Sequence, residues 1–230
     1  GTASGRSERN SDMSWNYFWA GTAGQQPRYN QFPFGGCAVG CGPTAWGILF
    51  AWGDRQAASG NSYWAGRNGL YRENGGRGAD VVAPINQDGG VNNMIGELNG
   101  QVGTFCAFGS GATTPWDMPG AWQYLNGRSY TRLDTHWNSL GIHETRLANY
   151  AANSIAYRRT PAVIGTGWLS HYPVAWGYAW QHRTIRHSFL WWDWTETVTD
   201  TAFYVNNGWG GGGSGEWIDA STWFAGEIYP

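Results

Sequence analysis

One segment of the chain contains a cysteine in the surroundings that a nucleophile needs: residues 35–46, G-G-C-A-V-G-C-G-P-T-A-W. Cys41 lies between two glycines, which permit a tight turn and the close approach of a substrate. It directly precedes an apolar run that predicts a buried helix, and the positive end of the helix dipole should lower the thiol pKa and favour the thiolate. The alternative is that Cys41 is a small buried hydrophobic residue, as free cysteines commonly are.

A nucleophilic cysteine needs a general base, and the chain has five histidines: His136, His143, His171, His182 and His187. His171 opens the run H-Y-P-V-A-W-G-Y after a predicted strand and a glycine-containing loop, which would expose its imidazole at a sheet edge. His187 also opens an apolar run, H-S-F-L-W-W, and is the rival. The other three lie among polar residues, so we expect them at the surface.

Other catalytic and metal-binding motifs are absent from the sequence. His143 and Glu144 begin like the zinc motif H-E-x-x-H, but Leu147 stands where the second histidine belongs. The chain has no G-x-S-x-G, no G-x-x-x-x-G-K-[ST] and no paired C-x-x-C. We therefore expect neither a metal ion nor a cofactor.

The elements that must position these residues divide the chain into a helical part and a sheet part. Apolar runs and helix-end signals predict helices over residues 43–52, 91–98, 116–125 and 144–157. Segments rich in Val, Ile, Tyr, Phe and Trp predict strands over residues 161–165, 172–180, 188–194 and 201–206. Helices followed by strands predict an α+β fold in which helices pack beside an antiparallel sheet.

Length, charge and composition limit the class of protein. The chain has 230 residues and a net charge of −2, so it lacks the basic face that a nucleic-acid or membrane-surface partner would require. It has no apolar run of about 18 residues, which predicts no transmembrane helix. The small polar residues 1–12 predict a flexible leader, and residues 13–230 a single domain, helical to about residue 158 and sheet from about residue 159.

Four segments stand in a characteristic order along the chain. They are Q-Q-P-R-Y-N from residue 25, C-A-V-G-C-G-P-T-A from residue 37, the strand and glycine loop that end at His171, and V-N-N-G-W-G-G from residue 205. In this order they resemble the papain-like cysteine peptidases and are most similar to the bacterial streptopain group. The resemblance covers residues 20–50 and 160–225, whereas residues 55–155 match only in helix content.

The resemblance implies a two-lobed fold, in which a helical N-terminal lobe with the nucleophile helix packs on an antiparallel sheet lobe. It also implies that Cys41 is the nucleophile and that His171, rather than His187, is the base. The backbone N–H of Cys41 and a glutamine side chain would bind the oxyanion. The family spacing assigns that glutamine to Gln25, but Arg28 interrupts the motif, so Gln26 stays open.

The residue that orients the imidazole has two candidates. The papain pattern N-S-W-G assigns the role to Asn207, and the streptopain pattern places its asparagine at Asn206. We prefer Asn207, because a side-chain amide there can fix the imidazole tautomer. Trp209 is expected to shield the His–Asn pair from water, and glycines 210–213 to form an edge of the cleft. Because His171 lies roughly twice the family's usual interval from Asn207, the Trp-rich residues around 178–200 are expected to form an inserted hairpin.

The three cysteines predict one disulfide and one free thiol. Papain has a bridge from a cysteine just upstream of its nucleophile, and by this resemblance Cys37 pairs with Cys106 while Cys41 stays free. A disulfide is typical of an oxidising compartment, so we expect a secreted protein.

The resemblance as a whole predicts a monomeric cysteine endopeptidase that acts on protein or peptide substrates. The Cys41 thiolate would attack the carbonyl, and the His171 imidazolium would protonate the leaving amine. Three alternatives stay open: an NlpC-like cell-wall amidase, which also uses Cys and His; a leader-processing peptidase, which shares the C-G-P opening; and an inactive peptidase-like scaffold whose 17 tryptophans form a carbohydrate-binding surface. We expect most of those aromatic residues in the core.

Overall fold

The computed structural model of the protein describes residues 14–64, 82–126, 131–208 and 215–230. The expected leader, Trp209 and glycines 210–213 lie outside the described residues. The described residues form four α-helices: α1 (Cys41–Ala58), α2 (Gly89–Gln101), α3 (Trp122–Leu125) and α4 (Thr145–Arg158). Three of the predicted helices are confirmed with shifted ends. The fourth, predicted over residues 116–125, is instead a 3₁₀ turn, Met118–Ala121, followed by the single turn of α3.

Helix α1 begins at the candidate nucleophile because two glycines permit its entry. Gly40 adopts φ +99°, in the left-handed region that other residues rarely occupy. At Gly42 a side chain would come within 2.8 Å of Met118 Sδ, so only glycine fits against that residue. Pro43 lies in the first turn, where its missing N–H removes no helical hydrogen bond. The helix is buried on almost every face, as its apolar sequence predicts.

The central sheet has seven strands in the order β10-β9-β8-β7-β11-β6, with β1 also pairing β8. All its pairings are antiparallel. The strands are β1 (Asn16–Trp19), β6 (Arg132–Trp137), β7 (Ala162–Ile164), β8 (Val174–Phe189), β9 (Trp192–Asn206), β10 (Glu216–Asp219) and β11 (Phe224–Tyr229). Two small hairpins stand apart: β2 (Pro33–Phe34) with β3 (Cys37–Ala38), and β4 (Phe105–Ala107) with β5 (Ser110–Ala112). The α+β class is confirmed.

The division into a helical half and a sheet half is not strict, since β1 and β6 come from the part predicted to be helical. Helices cover both faces of the sheet. A side chain at Gly226 in β11 would come within 2.7 Å of Trp46 in α1. The next residue, Glu227, is ion-paired with Arg158 in α4. Because successive strand residues face opposite sides, α1 and α4 lie on opposite faces.

The hairpin expected around residues 178–200 is present. Strands β8 and β9 pair continuously from Val174 opposite Asn206 to Phe189 opposite Trp192, with one bulge at Trp176. The strand predicted over residues 188–194 is wrong, because that segment contains the turn of the hairpin, where Leu190 has φ +55°. The turn has no Gly, Pro or Asn, and its aromatic residues are typical of strands, so composition alone could not locate it.

Most tryptophans do not lie in the core, contrary to the expectation from the sequence. Of the 16 described tryptophans, five are buried: Trp46, Trp52, Trp64, Trp176 and Trp223. Nine others are exposed, and the end of the hairpin presents three of them, Trp191, Trp192 and Trp194. The hairpin extends beyond the helices that cover the rest of the sheet, so its aromatic side chains have no layer to pack against.

The predicted disulfide is present, joining Cys37 in β3 to Cys106 in β4, and Cys41 is free. It ties the hairpin β4–β5 to the loop that enters α1. A side chain at Gly111 in β5 would come within 2.8 Å of the backbone nitrogen of Gly40. The disulfide-linked hairpin therefore supports the turn that precedes Cys41, the candidate nucleophile.

Removing the disulfide with the double variant Cys37→Ser and Cys106→Ser should lower the free energy of unfolding by about 4 kcal/mol. The bridge closes a loop of 69 residues, and opening it restores conformational entropy to the unfolded chain. Urea unfolding of the oxidised protein and the double variant measures the difference. Reduction of the wild-type protein should lower stability by a similar amount, and equal stability of oxidised protein and variant would contradict the prediction.

Candidate active site

The thiol of Cys41 lies at the N-terminus of α1 and is partly buried. Three backbone N–H groups hydrogen bond to its sulfur, those of Tyr172, Cys41 itself and Gly42. The contact with Tyr172 places Cys41 beside the segment that contains His171, because Tyr172 directly follows His171 in the chain. The structure therefore brings the candidate nucleophile and the segment of the candidate base together, although 130 positions separate them in the sequence.

The loop that ends at His171 is held at both ends. Thr166 N–H donates to the carbonyl oxygen of His171 at 2.9 Å, which closes the loop between β7 and β8. Inside the loop, Gly167 has φ +62° and its carbonyl oxygen accepts a hydrogen bond from Trp223 Nε1 at 2.8 Å. His143 Nε2 lies 3.1 Å from the same oxygen, so it must carry the proton there. His143 is exposed, as predicted, but it also supports this loop.

Trp223 is a site-supporting residue that the sequence analysis missed. Trp223 does more than hydrogen bond to Gly167. Its ring also fills the space beside Gly165, where an added side-chain carbon would lie 2.6 Å from the ring. It also packs edge to face on Tyr172, with ring centroids 5.1 Å apart. Its only signal in the sequence is one tryptophan in an aromatic C-terminal segment, and nothing there distinguishes it from the exposed tryptophans.

The structure brings Asn207, not Asn206, to His171. Both the side chain and the backbone of Asn207 contact the imidazole, and both contacts raise the pKa of His171 against the opposing effect of burial. The side chain of Asn206 instead accepts from Gly208 N–H at 2.9 Å and stabilises its own turn. A side chain at Gly208 would lie 3.7 Å from Thr44 Cγ2, so the end of β9 packs against the first turn of α1.

The rival histidine lies on the inserted hairpin and has other partners. His187 Nε2 is 3.1 Å from Glu196 Oε2, and its ring stacks on Trp194 with centroids 5.0 Å apart. On the same hairpin His182 contacts Thr199, with 2.8 Å between Nδ1 and Oγ1. These positions belong to the part of β8 and β9 that extends away from the start of α1.

The predicted oxyanion donor Gln25 makes its contacts away from Cys41. Its Oε1 accepts from Thr22 N–H at 3.1 Å, and it lies where a side chain at Gly21 would clash. A side-chain carbon added at Gly21 would also lie 3.8 Å from Trp52 Nε1. Trp52 is about three helical turns along α1 from Cys41. The neighbouring Gln26 is buried.

Burial acts against the charged thiolate and imidazolium that the sequence predicted for Cys41 and His171. It raises the pKa of the Cys41 thiol, and the three N–H groups at the sulfur only partly oppose this. It also lowers the pKa of His171, and the two hydrogen bonds to Asn207 oppose that shift. Both causes favour a neutral thiol beside a neutral imidazole. The helix N-terminus at Cys41 is as predicted, and desolvation, which raises the pKa of the thiol, acts against the lowering expected from the helix dipole.

Tyr172 anchors the site to the middle of the protein. Its hydroxyl donates to the carbonyl oxygen of Thr113 at 3.1 Å, and its ring is buried against Trp223 and Phe224. Burial raises the pKa of this phenol far above its ordinary value, and the negative charges that Cys41, when ionised, and Asp117 carry act in the same direction. Tyr172 therefore stays a neutral hydrogen-bond donor at any physiological pH.

Comparison of the chain with protein-family models, curated proteins and solved structures finds no significant match. Among the described residues, no helix combines the length and the apolar character that crossing a membrane requires. The assignment of a function therefore depends on the geometry of Cys41, His171 and Asn207.

Replacing Asn207 with alanine should lower kcat for a peptide substrate by about 10- to 100-fold, with little change in KM. A side chain that orients the imidazole without reacting, the role expected of Asn207, affects turnover more than substrate binding when it is lost. Steady-state kinetics with Asn206→Ala as the matched control tests this, because Asn206 bonds only to its own turn. A defect confined to Asn206→Ala would transfer the orienting role to that residue.

Proposed function

We propose that the protein is a cysteine endopeptidase of papain-like architecture, with Cys41 as nucleophile, His171 as base and Asn207 as the residue that orients the imidazole. The observation that carries the proposal is the hydrogen bond between Cys41 and the backbone of Tyr172, combined with the contact of Asn207 with His171. The order of the three residues along the chain and the position of Cys41 at a helix N-terminus add support.

The resting charge state implies a general-base mechanism. As Cys41 Sγ attacks the peptide carbonyl, its proton passes to His171, which the oxygens of Asn207 stabilise in the charged form. The imidazolium then donates that proton to the leaving amine, and the C–N bond breaks to leave a thioester on Cys41. Water, deprotonated by His171, hydrolyses the thioester and releases the acid and the free thiol.

The oxyanion of both tetrahedral intermediates needs hydrogen-bond donors, and the backbone N–H of Cys41 is the first we assign. Gln25 remains the proposed side-chain donor by its motif. Its Oε1 is engaged by Thr22, so its NH₂ group is the end of the amide that could serve a substrate oxygen. To donate a hydrogen bond to the substrate oxygen, Gln25 and the turn that contains it must move towards Cys41. Gln26 stays the alternative for two reasons. Its side chain is buried, and it lies one residue closer along the chain to the segment that packs near the start of α1.

The remaining parts of the proposal concern substrate and location. The substrate class is protein or peptide, the enzyme works as a monomer, and it is secreted. The disulfide between Cys37 and Cys106 supports an oxidising compartment, since such bonds rarely persist in the cytosol.

The function is tested by labelling and cleavage on the same sample. An epoxysuccinyl peptide inhibitor should label one thiol per chain, mapped by mass spectrometry to Cys41, and a peptide library should be cut internally. A panel of bacterial cell-wall peptides, incubated in parallel, distinguishes an endopeptidase from an NlpC-like amidase. Cleavage of cell-wall peptides alone would assign the amidase function, and absence of both labelling and cleavage would refute the proposal.

A second candidate function, binding of carbohydrate by an aromatic surface, is favoured by the end of the hairpin. Phe189, Leu190, Trp191 and Trp192 are each at least 68% exposed, and such surfaces mark interaction sites. A glycan array with the wild-type protein and a Trp191→Ala, Trp192→Ala variant tests this function. Binding lost in that variant but kept in Cys41→Ala would support it, and no binding by the wild type would exclude it for the glycans tested.

A further inference from the structure

Asn207 has a second partner besides His171. Its Nδ2 donates a hydrogen bond to Glu216 Oε1 at 2.9 Å. Glu216 is the first residue of β10 and pairs in register with Val205 of β9. Asn207 stands two residues beyond Val205, so the two side chains reach the same side of the sheet and meet where β9 ends.

This contact determines which end of the amide faces the imidazole. An ionised carboxylate can only accept hydrogen bonds, so it selects the NH₂ group of Asn207 and excludes the amide oxygen. The Oδ1 atom is then directed to the other partner, His171, whose contact with the Asn207 side chain favours the protonated ring. With the amide reversed, the NH₂ group would face the imidazole and oppose its protonation.

We propose that Glu216 is a positioning residue, which holds the Asn207 amide in the orientation that lets Oδ1 accept a hydrogen bond from the His171 ring. The hydrogen-bonded chain then runs from Glu216 through Asn207 to His171, next to Cys41. The effect on turnover rests on the proposed peptidase function, whereas the effect on the imidazole does not.

Strand β10 holds Glu216 in place through its neighbour. Trp217 faces the opposite side of the strand and packs edge to face on Trp19 and Tyr204, with ring centroids 5.5 Å apart in both pairs. Asp219 lies on that opposite side too, on the same short strand, and is exposed. Asp219 is therefore a matched control for the charge of Glu216.

Few ionisable groups compete for control of His171. The thiol of Cys41, at the start of α1, faces the segment that contains His171. Tyr172 follows His171 in the chain, and the charge of Asp117 acts on the pKa of its phenol. Burial holds the thiol and the phenol in their neutral forms near neutral pH. The carboxylate of Glu216 therefore influences the imidazole through Asn207. Replacing Glu216 separates this influence from that of the other ionisable groups.

The test compares Glu216→Gln and Glu216→Ala with Asp219→Asn. We expect both Glu216 variants to lower the imidazole pKa of His171, followed by NMR titration, and to lower kcat for a peptide substrate by about 10-fold with KM nearly unchanged. Asp219→Asn should change neither, and thermal unfolding checks that all three variants fold. Glu216→Ala in an Asn207→Ala background should have no further effect on the titration.

An unchanged His171 titration in both Glu216 variants would overturn the proposal, as would an equal shift in Asp219→Asn. The titration needs no substrate, so it separates the two proposals. If the wild-type protein cleaves no peptide, the peptidase function fails while the NMR result still decides the role of Glu216. If cleavage is present and the titration does not move, only the role of Glu216 fails.

Discussion

Replacing Cys41 with alanine should lower kcat/KM for peptide cleavage by about 10⁵-fold or more, because the variant lacks the sulfur that would form the covalent intermediate. Labelling by the epoxysuccinyl inhibitor should disappear in the same variant. Stopped assays with a fluorogenic peptide measure the first effect, and mass spectrometry of the labelled chain measures the second.

A matched control and a pH profile sharpen this result. The Cys37→Ser, Cys106→Ser variant lacks the disulfide but keeps Cys41, so below its own unfolding temperature it should still be labelled. Because burial raises the pKa of Cys41 and lowers that of His171, the rate of alkylation by iodoacetamide should climb with pH into the alkaline range. A plateau from acidic pH upward would instead show a thiolate–imidazolium pair. Cleavage that persists in Cys41→Ala would remove Cys41 from the reaction.

Local chemistry in the sequence predicted the entry to α1 well. The run after Cys41 has twelve residues without a charge before Asp54, and an apolar run of this length is typical of a buried helix. The close approach of Gly42 to Met118 is a tertiary contact that the sequence did not predict, since glycine at that position indicated only a tight turn and the approach of a substrate. The disulfide followed from an odd cysteine count combined with a family resemblance, not from spacing.

The parts that could not be predicted depend on contacts between distant segments. Strand β1 has four residues and exists because it pairs with β8, about 160 residues later. The support that Trp223 gives to the loop at Gly167 likewise depends on the register of β11. The pKa directions at the site also required the structure, since burial of Cys41 depends on the segments that pack over it.

The choice between Asn206 and Asn207 shows the same limit at a single residue. Adjacent strand residues face opposite sides, so the sequence indicated that only one of the two could face the imidazole. Which one does so depends on the turn at Gly208, where the Asn206 side chain is engaged. The Asn-Asn-Gly run indicated a turn but did not show which asparagine side chain the turn would use.

Replacing His171 with alanine should lower kcat/KM by about 10⁴-fold or more, since the thiol would lose the group that accepts its proton. The fold should persist, because the loop at residues 165–171 is held by backbone hydrogen bonds and by Trp223 rather than by the imidazole. The rate of alkylation of Cys41 at neutral pH should fall as well. Circular dichroism and thermal unfolding establish that the variant is folded before its kinetics are interpreted.

The matched control is His187→Ala, because His187 is the histidine that sequence reasoning left as the rival. It loses an exposed hydrogen bond with Glu196 and the stacking on Trp194, which together contribute about 1 kcal/mol or less to stability. Its activity should stay within about twofold of the wild type, since the hairpin holds it away from the start of α1. An inactive His187→Ala beside an active His171→Ala would show that the base comes from the hairpin, and the assignment of the site would then be wrong at its second residue.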